Sequence, residues 1–412
     1  MQSLKFATNL SQLSKEEFKF AVVGAGPSGL AAISVLLEND LYPILWVDRS
    51  FNGGRMPLYR NVPSNTKAKI FTRFVTDSKI YSKFVEMDPN PLESLKDVPP
   101  EETCQLQKAL TMLNRLTYHL NTKYQDKVVM VKDDVTSLHR VPQGPNEDVW
   151  QVGLKSDSVQ LNVEKVVLAT GGHPIQPHIS KIVKKKLPKE PKTVDLDVAL
   201  DKYKLAEEIG EEDTVAIIGA SHSAMVVLLN LDQMEKKPKM IHVFYRHPLK
   251  YAVFYEDWIL YDNTGLKGLA AKWAKEKFET DQVPNLKRHY IPDDNQALYE
   301  EILPQCTKII YAVGYERDPV PQISITDQSG KKIEFKDNEI QYDVKAGKLG
   351  IVKDGKLEPL GGLYGMGIAF PEQVVDKAGN VEFAVGYFKF LNTAKRHAEH
   401  YKAREKMFKP SL

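Results

Sequence analysis

The chain has 412 residues, which is enough for two domains, or for one domain with a large insertion. Basic and acidic residues nearly balance, 56 against 54, and this argues against a dedicated nucleic-acid-binding protein. No apolar run approaches the roughly 20 residues that cross a bilayer, and residues 1–20 lack the apolar core of a secretion signal. The two cysteines, Cys104 and Cys306, lie far apart. These features predict a cytoplasmic protein without an integral membrane segment or a disulfide framework.

The first motif follows the short apolar run at residues 20–23. It is Gly-x-Gly-x-x-Gly, with its glycines at Gly24, Gly26 and Gly29, and a helical pattern follows to about residue 38. Gly24 permits the tight turn out of the strand, and Gly26 leaves room for a pyrophosphate against the backbone. Gly29 lets helix and strand pack closely.

The residues around this motif complete a dinucleotide-binding unit. The helix that begins at Pro27 and Ser28 offers phosphates the positive end of its dipole and unpaired N–H groups, of which Pro27 has none and Ser28 has the first. A second apolar run at residues 43–47 ends in Asp48, which Arg49 follows. Asp48 stands at roughly the 20-residue offset at which an acid binds a ribose hydroxyl. We therefore predict a dinucleotide site here rather than an ordinary strand-turn-helix.

Residues 49–67 are rich in Gly, Pro and Asn and predict an ordered loop, either functional or a plain surface connection. A core-facing helix is predicted at about residues 101–124. Turn signals then separate alternating strands, which predict a small antiparallel meander inserted in the first domain. Those strands are expected at residues 128–131, 135–138, 149–154 and 159–163. A buried strand follows and ends at Ala169-Thr170-Gly171.

A linker is predicted at residues 176–200, where a lysine cluster at 181–192 indicates either a solvated surface or a phosphate-attracting segment. A second nucleotide unit follows, with the pattern Gly-x-Ser-x-x-Ala from Gly219 to Ala224. Ser221 replaces the glycine nearest the pyrophosphate, so its hydroxymethyl group must fit there or form a hydrogen bond.

The strand after this unit ends in Arg246 rather than in an acid. A guanidinium at this position would bind a ribose 2′-phosphate bidentately, which favours NADPH over NADH. The alternative is a surface salt bridge.

The remainder of the chain carries fewer signals. Residues 251–300 contain no motif that can be assigned, and a later strand ends in a glycine turn at Gly314. A turn-rich β region is expected at 322–358. An amphipathic helix is predicted at 381–408, with one buried stripe formed by Phe388, Leu391, Ala394, Ala398 and Tyr401.

With both units placed, the chain resembles the flavoproteins of the pyridine nucleotide oxidoreductase superfamily. The resemblance implies an α/β fold with two Rossmann-like dinucleotide-binding domains, in which the NAD(P)H domain is inserted in an FAD domain that also carries the antiparallel β meander. The FAD domain would comprise residues 1–175 and 320–412, and the NAD(P)H domain residues 176–319. The protein would then be an enzyme that uses FAD and NADP.

Two branches of that superfamily compete. Disulfide reductases need a redox-active cysteine pair, and the sequence has none. Gly53-Gly54-Arg55, residues 64–67 and the turn through Gly367 are similar to segments of the flavin-containing monooxygenases and the ornithine N-hydroxylases. Those enzymes commonly carry Phe-x-Gly-x-x-x-His-x-x-x-Tyr before the second unit, and residues 173–214 lack it. A flavin reductase or oxidase therefore stays open.

The resemblance also implies roles for individual residues. Asn65 and Lys67 are the catalytic candidates, although Asn65 could equally cap its loop. NADPH would reduce the flavin, and O₂ would oxidise a small amine or sulfur substrate; a non-catalytic redox sensor is a further alternative. No metal is predicted, and the oligomeric state is left open. Cofactor contacts are implied for Gly24, Gly26, Pro27, Ser28, Gly29, Asp48, Arg49, Gly54, Arg55, Val135, Ala169, Thr170, Gly171, Gly219, Ser221, Ser223, Ala224, Arg246, Gly314 and Gly367.

Overall fold

A computed structural model describes residues 3–143, 148–183, 186–292, 296–327 and 329–403. Within these ranges no helix is long and apolar enough to cross a membrane. The α-helices there are α1 (Leu10–Leu13), α2 (Pro27–Glu38), α3 (Ala68–Thr76), α4 (Leu106–Lys123), α5 (Leu196–Ala199), α6 (Lys202–Glu208), α7 (His222–Asp232), α8 (Gly268–Trp273), α9 (Gln296–Ile302) and α10 (Tyr387–Lys402).

The strands are arranged mainly in two large sheets, and small two-stranded sheets connect and flank them. In chain order they are β1 (Phe18–Val23), β2 (Ile44–Val47), β3 (Pro63–Lys67), β4 (Thr103–Gln105), β5 (Val128–Val131), β6 (Val135–Pro142), β7 (Asp148–Leu154), β8 (Gln160–Leu168), β9 (Gly172–Pro174), β10 (Lys192–Thr193), β11 (Thr214–Ile218), β12 (Met240–Tyr245), β13 (Val253–Phe254), β14 (Ile259–Leu260), β15 (Leu286–Tyr290), β16 (Lys308–Tyr311), β17 (Tyr315–Arg317), β18 (Gln322–Thr326), β19 (Lys332–Phe335), β20 (Ile340–Tyr342), β21 (Lys348–Lys353), β22 (Lys356–Gly365), β23 (Glu372–Val375) and β24 (Val381–Ala384).

The first large sheet has a parallel centre in the order β22-β8-β1-β2-β5. Its inner strands are almost continuously apolar because both faces are covered, as a parallel sheet requires. On one face α2, α4 and α10 build a core around Trp46 and Leu113. The other face packs with the remaining antiparallel strands around Trp150.

The structure corrects two details of the predicted meander. Residues 128–131 do not belong to it, because β5 pairs in parallel with β2 at the edge of the first sheet. The apolar stretches at 159–163 and 166–168 form one strand, β8, which pairs first with β7 and then with β1 and β22. The antiparallel meander is therefore β6-β7-β8.

The second large sheet is entirely parallel, in the order β10-β16-β11-β12-β15. Helices α7 and α8 cover one face, and α9 with its neighbours covers the other. Two segments of the chain connect this sheet to the first one, and they contain the strands β9 and β17, which pair with each other in antiparallel fashion. The fold class is confirmed: the chain contains two Rossmann-like α/β units, the second inserted between strands of the first.

Three local predictions need correction. Residues 49–67 are not loop throughout, since β3 pairs with β4. The predicted linker at 176–200 contains β10, an edge strand of the second sheet, and residues 184–185 of its lysine cluster lie outside the described residues.

The terminal helix begins at Tyr387 rather than at 381, because residues 381–384 form β24. Of the predicted stripe, Leu391, Ala394, Ala398 and Tyr401 are buried. Phe388 is only half-buried, and its ring lies under the guanidinium of Arg73. Residues 404–408 lie outside the described residues.

Candidate functional site

The first glycine turn is held by close backbone contacts. Gly24 has φ +112°, and a Cβ placed on it would lie 2.3 Å from the carbonyl oxygen of Ala169. A Cβ on Gly29 would lie 2.0 Å from the carbonyl oxygen of Gly24. These two positions therefore exclude any side chain, as the motif predicted for a tight turn and a closely packed helix.

Gly26 differs from the other two glycines because space remains around it. Its backbone is extended, and a Cβ there would meet only the Cα of Gly54, at 3.9 Å. Gly54 has φ +67° and brings the flavin-loop segment (residues 53–67) over the turn. The turn through Gly367 approaches from another side, since a Cβ on it would lie 2.4 Å from Oγ of Ser28. Four of the predicted cofactor contacts, Gly26, Ser28, Gly54 and Gly367, therefore lie together around this turn.

Asp48 supports this turn from the next strand. Its Oδ2 accepts a hydrogen bond from the backbone N–H of Ala25 at 2.8 Å, and its Oδ1 accepts from the backbone N–H groups of Ser50 and Phe51. The carboxylate is half-buried and fixes the turn relative to the segment that follows it. A carboxylate oxygen can accept more than one hydrogen bond, so Oδ2 retains the capacity to bind a ribose hydroxyl.

Two other predicted contacts lie at the margin of this site. Arg49 is largely exposed, and its Nε lies 3.1 Å from Oδ1 of Asp134. Val135 begins β6 next to that aspartate and is half-buried. The Arg49 pair is solvent-exposed, so it contributes little to stability.

The donor set fits an FAD pyrophosphate and its neighbours. Oγ1 of Thr170, at the end of β8, is buried and has no hydrogen-bond partner within the described ranges. A buried hydroxyl without a partner is unfavourable unless a ligand supplies one. The space at Gly26 and the N-terminus of α2 would suit a bound diphosphate, and the Thr170 hydroxyl could donate a hydrogen bond to the same ligand.

The second turn repeats the geometry of the first. Gly219 has φ +114°, and a Cβ on it would lie 2.3 Å from the carbonyl oxygen of Ala312. Ser221 precedes α7 with φ −82° and ψ −171°, close to the −79° and −175° of Gly26 before α2. Ala224, in the first turn of α7, is fully buried where the helix meets the sheet. The hydroxyl of Ser221 forms no capping hydrogen bond and is exposed.

A cavity of about 680 Å³ opens beside this second turn. Gly219, Ser221 and Gly314 line it on the side of the turn, and Arg246 lines it at the end of β12. Two basic side chains that the sequence did not single out individually also line the cavity. They are Lys181, from the predicted lysine cluster, and Lys250. Such a cavity suits a nucleotide that carries several phosphate charges.

A hydrogen-bonded network joins the flavin-loop segment to the second turn. Asp197 of α5 is ion-paired with Arg55 and accepts a hydrogen bond from the hydroxyl of Tyr59 at 2.8 Å. The side chain of Tyr315 lies close enough to the hydroxyls of Tyr59 and Ser223 for both to influence its pKa. Burial raises the pKa of both tyrosines, so they are neutral and act as hydrogen-bond donors. Nε of Arg55 is buried without a partner among the described residues.

The two catalytic candidates are on β3 of the flavin-loop segment. Asn65 is exposed, and its Oδ1 accepts a hydrogen bond from Thr66 at 3.1 Å. The ammonium of Lys67 is ion-paired with Glu101 at 2.9 Å and lies 4.4 Å from the centre of the Phe254 ring.

Gly171, another predicted cofactor contact, lies beside Asp318, whose backbone N–H donates a hydrogen bond to the carbonyl oxygen of Gly171.

Besides Lys250, sequence reasoning assigned no role to Asp197, Tyr315 and His222. No motif marks Asp197, because it reaches Arg55 only through the packing of the two domains. Tyr315 stands directly after Gly314, and that position could have drawn attention to it. His222 lies inside the second motif, between Ser221 and Ser223.

Comparison with known proteins agrees with this geometry. The pyridine nucleotide-disulphide oxidoreductase family matches residues 18–345. The monooxygenase AgnR1 of Paecilomyces divaricatus is 36% identical over 395 residues, which cover 91% of this chain and 95% of that protein. The chain therefore belongs to the pyridine nucleotide-disulphide oxidoreductase family, and its resemblance to flavin monooxygenases is confirmed.

Solved structures share the fold at low sequence identity. An ornithine N-hydroxylase of Kutzneria sp. 744 has a TM-score of 0.57 and 13% identity, over 94% of this chain and 99% of that one. A flavin monooxygenase from Stenotrophomonas maltophilia has a TM-score of 0.54 and 12% identity, over 94% and 98%. The protein is an FAD- and NAD(P)H-dependent oxidoreductase of the monooxygenase-like kind.

Although the family name refers to disulphide chemistry, the two cysteines of this chain do not form a redox-active pair. Cys104 packs at the edge of the core around α2, whereas Cys306 is buried in the core beside α9. Both are free thiols, and burial raises the pKa of each. The chain therefore offers no dithiol to a flavin.

Proposed function

We propose that the protein is an NADPH-dependent flavin monooxygenase that transfers one oxygen atom to a small amine or sulfur nucleophile in the cytoplasm. The observation that carries the proposal is the network from Arg55 through Asp197 to Tyr315 and Ser223, which joins the two nucleotide turns. Electrons from NADPH can leave only to oxygen or to another small acceptor, since no cysteine pair is present. The 36%-identical relative, itself a monooxygenase, supports oxygen as that acceptor.

The roles of the residues follow from their positions. Gly26 and Thr170 would hold FAD, which supplies electron transfer from NADPH to O₂ when bound. Ser221 would hold the pyrophosphate of NADPH, and Arg246 its 2′-phosphate. Arg55, whose Nη2 is held by Asp197, would use its buried Nε–H to donate a hydrogen bond to FAD.

The two β3 residues take different roles in this proposal. The exposed amide of Asn65 can donate a hydrogen bond to the reacting oxygen or to the substrate. Lys67 is engaged by Glu101 and by the face of Phe254, so we assign it to holding β3 in place rather than to proton transfer.

The reaction balances with one external reductant. A thioether, O₂, NADPH and a proton give a sulfoxide, NADP⁺ and water: the O–O bond breaks, one S–O bond forms, and the second oxygen leaves as water. Methyl phenyl sulfide is a suitable probe. Purified FAD-loaded protein given NADPH and ¹⁸O₂ should yield sulfoxide that carries one ¹⁸O atom.

A second measurement does not depend on the choice of substrate. NADPH-reduced enzyme is mixed with O₂, and the loss of O₂ and the release of hydrogen peroxide are followed together. A monooxygenase retains the oxygen, so that peroxide release lags behind the loss of O₂. Equimolar peroxide released as O₂ disappears would refute the proposal and identify an oxidase or flavin reductase. Failure to oxidise NADPH at all would identify a redox sensor.

A further inference from the structure

His222 is the first residue of α7 and lies inside the second nucleotide motif. Its Nδ1 atom is buried and has no hydrogen-bond partner within the described residues. Burial, with Lys267 as a second cause, lowers the pKa of His222 to about 4. The imidazole is therefore neutral at physiological pH, with one nitrogen that donates and one that accepts.

The position of His222 relates it to both halves of the site. On one side of it, Ser221 lines the cavity that holds Arg246. On the other side, α7 packs against α8. The first residue of α8, Gly268, lies against β3: a Cβ added to it would be 3.2 Å from the carbonyl oxygen of Ser64. His222 thus directly follows the turn that would bind a pyrophosphate, and it begins the helix that packs against α8, whose first residue contacts β3.

The chemistry of the imidazole selects the kind of group that would bind it. A buried nitrogen without a partner is unfavourable, so a ligand that supplies the missing hydrogen bond gains affinity. Phosphate oxygens only accept hydrogen bonds and prefer cationic partners. A carboxamide both donates and accepts, so it can pair with a neutral imidazole in either tautomer.

We propose that Nδ1 of His222 hydrogen-bonds the carboxamide of the nicotinamide ring of NADP(H). His222 is then a positioning residue, which fixes the nicotinamide between the second turn and β3. The inference rests on the proposed function only in taking NADP(H) as the ligand of the second turn.

Three substitutions test the role of Nδ1. The amide of His222→Asn can occupy the place of Nδ1, the amide of His222→Gln reaches toward the place of Nε2, and His222→Leu supplies neither. Binding to the FAD-loaded protein is measured calorimetrically with NADP⁺ and with 2′-phospho-ADP-ribose, which is NADP⁺ without the nicotinamide. Thermal unfolding verifies that each variant is folded.

The expected pattern is specific to one ligand and one atom. His222→Leu and His222→Gln should weaken NADP⁺ by about tenfold, the value of one hydrogen bond, and leave the affinity for 2′-phospho-ADP-ribose unchanged. His222→Asn should restore NADP⁺ binding to within about threefold of wild type. The NADP⁺-induced change in the flavin absorption spectrum should follow the same order.

Other outcomes overturn the inference. Equal weakening of both ligands would mean that His222 only supports the turn, and unchanged binding in every variant would mean that it does not contact NADP⁺. Failure of His222→Asn to restore binding would exclude Nδ1. Ser221→Ala is the matched control and should weaken both ligands. Since these are binding measurements, they stand whether or not the enzyme retains oxygen, so failure of the proposed function is recognised separately.

Discussion

Gly26→Ala tests whether a dinucleotide crosses the first turn. The backbone at Gly26 has φ −79°, which any residue adopts, and the added Cβ would meet only the Cα of Gly54, at 3.9 Å. The unliganded protein should therefore fold and melt as wild type does. A pyrophosphate pressed against this backbone would instead meet the new methyl group. Overpacking of that size costs about 1–3 kcal/mol, so FAD affinity should fall roughly ten- to hundredfold.

Comparison with Gly24→Ala separates ligand binding from folding. A Cβ at Gly24 would lie 2.3 Å from the Ala169 carbonyl oxygen, and φ there is +112°. That variant should lose both FAD and thermal stability. Gly355→Ala is the control for positive φ alone, because Gly355 has φ +74° and no heavy atom within 4 Å of its added Cβ.

The assay measures two quantities for each variant. Calorimetric titration of the FAD-free protein gives the affinity for FAD, and circular dichroism gives the unfolding temperature of the same preparation. The reasoning fails if Gly26→Ala binds FAD as tightly as wild type does, since the diphosphate would then not pass over this residue. It also fails if the FAD-free variant melts at a much lower temperature, since Gly26 would then serve the fold.

Three further outcomes are expected. Arg246→Ala should raise the KM for NADPH at least about tenfold more than that for NADH, because a bidentate 2′-phosphate contact is lost, while Arg288→Ala on the adjacent strand should change neither. Asp197→Asn should slow flavin reduction by NADPH in stopped-flow measurements, because the network between the two turns weakens; an unchanged rate would remove that role. Burial, with His289 and Lys287 as further causes, lowers the pKa of His242 from the ordinary 6.5 to about 4. Between these two values the unfolded chain binds a proton that the folded protein does not, so the stability present above pH 6.5 is lost as the pH falls toward 4. His242→Gln should therefore show a smaller loss of unfolding temperature across this pH range, and an identical pH profile would contradict the assignment.

The sequence was most informative where backbone geometry dictates residue type. Gly24 and Gly219 could be placed in tight turns because each must adopt a positive φ beside a carbonyl oxygen, and only glycine does so without strain. The same logic located both Rossmann-like units, whereas the arrangement of the domains was expected from the family resemblance. Strand pairing was less accessible: residues 128–131 are a continuous apolar run, which suits a buried parallel strand, but so short a run does not identify the strand it pairs with.

The side-chain network was not accessible from the sequence. Asp197 and Arg55 are 142 positions apart in the chain, and their contact depends on how the two domains meet. A lone aspartate in a short helix carries no periodicity or spacing that would identify it. The same applies to Lys250, which lines the cavity beside Arg246 only because of the turn that follows β12.

The two nucleotide turns have the same backbone conformation but carry different side chains. In both turns, a Cβ added to the glycine would lie 2.3 Å from the carbonyl oxygen of an alanine that follows a neighbouring strand. The residue before the helix has almost the same extended backbone in both turns. What differs is the side chains that follow: Gly26 and Pro27 in the first turn, Ser221 and His222 in the second. On the proposed function, the bare first turn would let a diphosphate lie directly against the backbone, which suits a cofactor that stays bound. The second turn would add a hydroxyl and a neutral imidazole as contacts to NADP(H), a reductant that must exchange at every turnover.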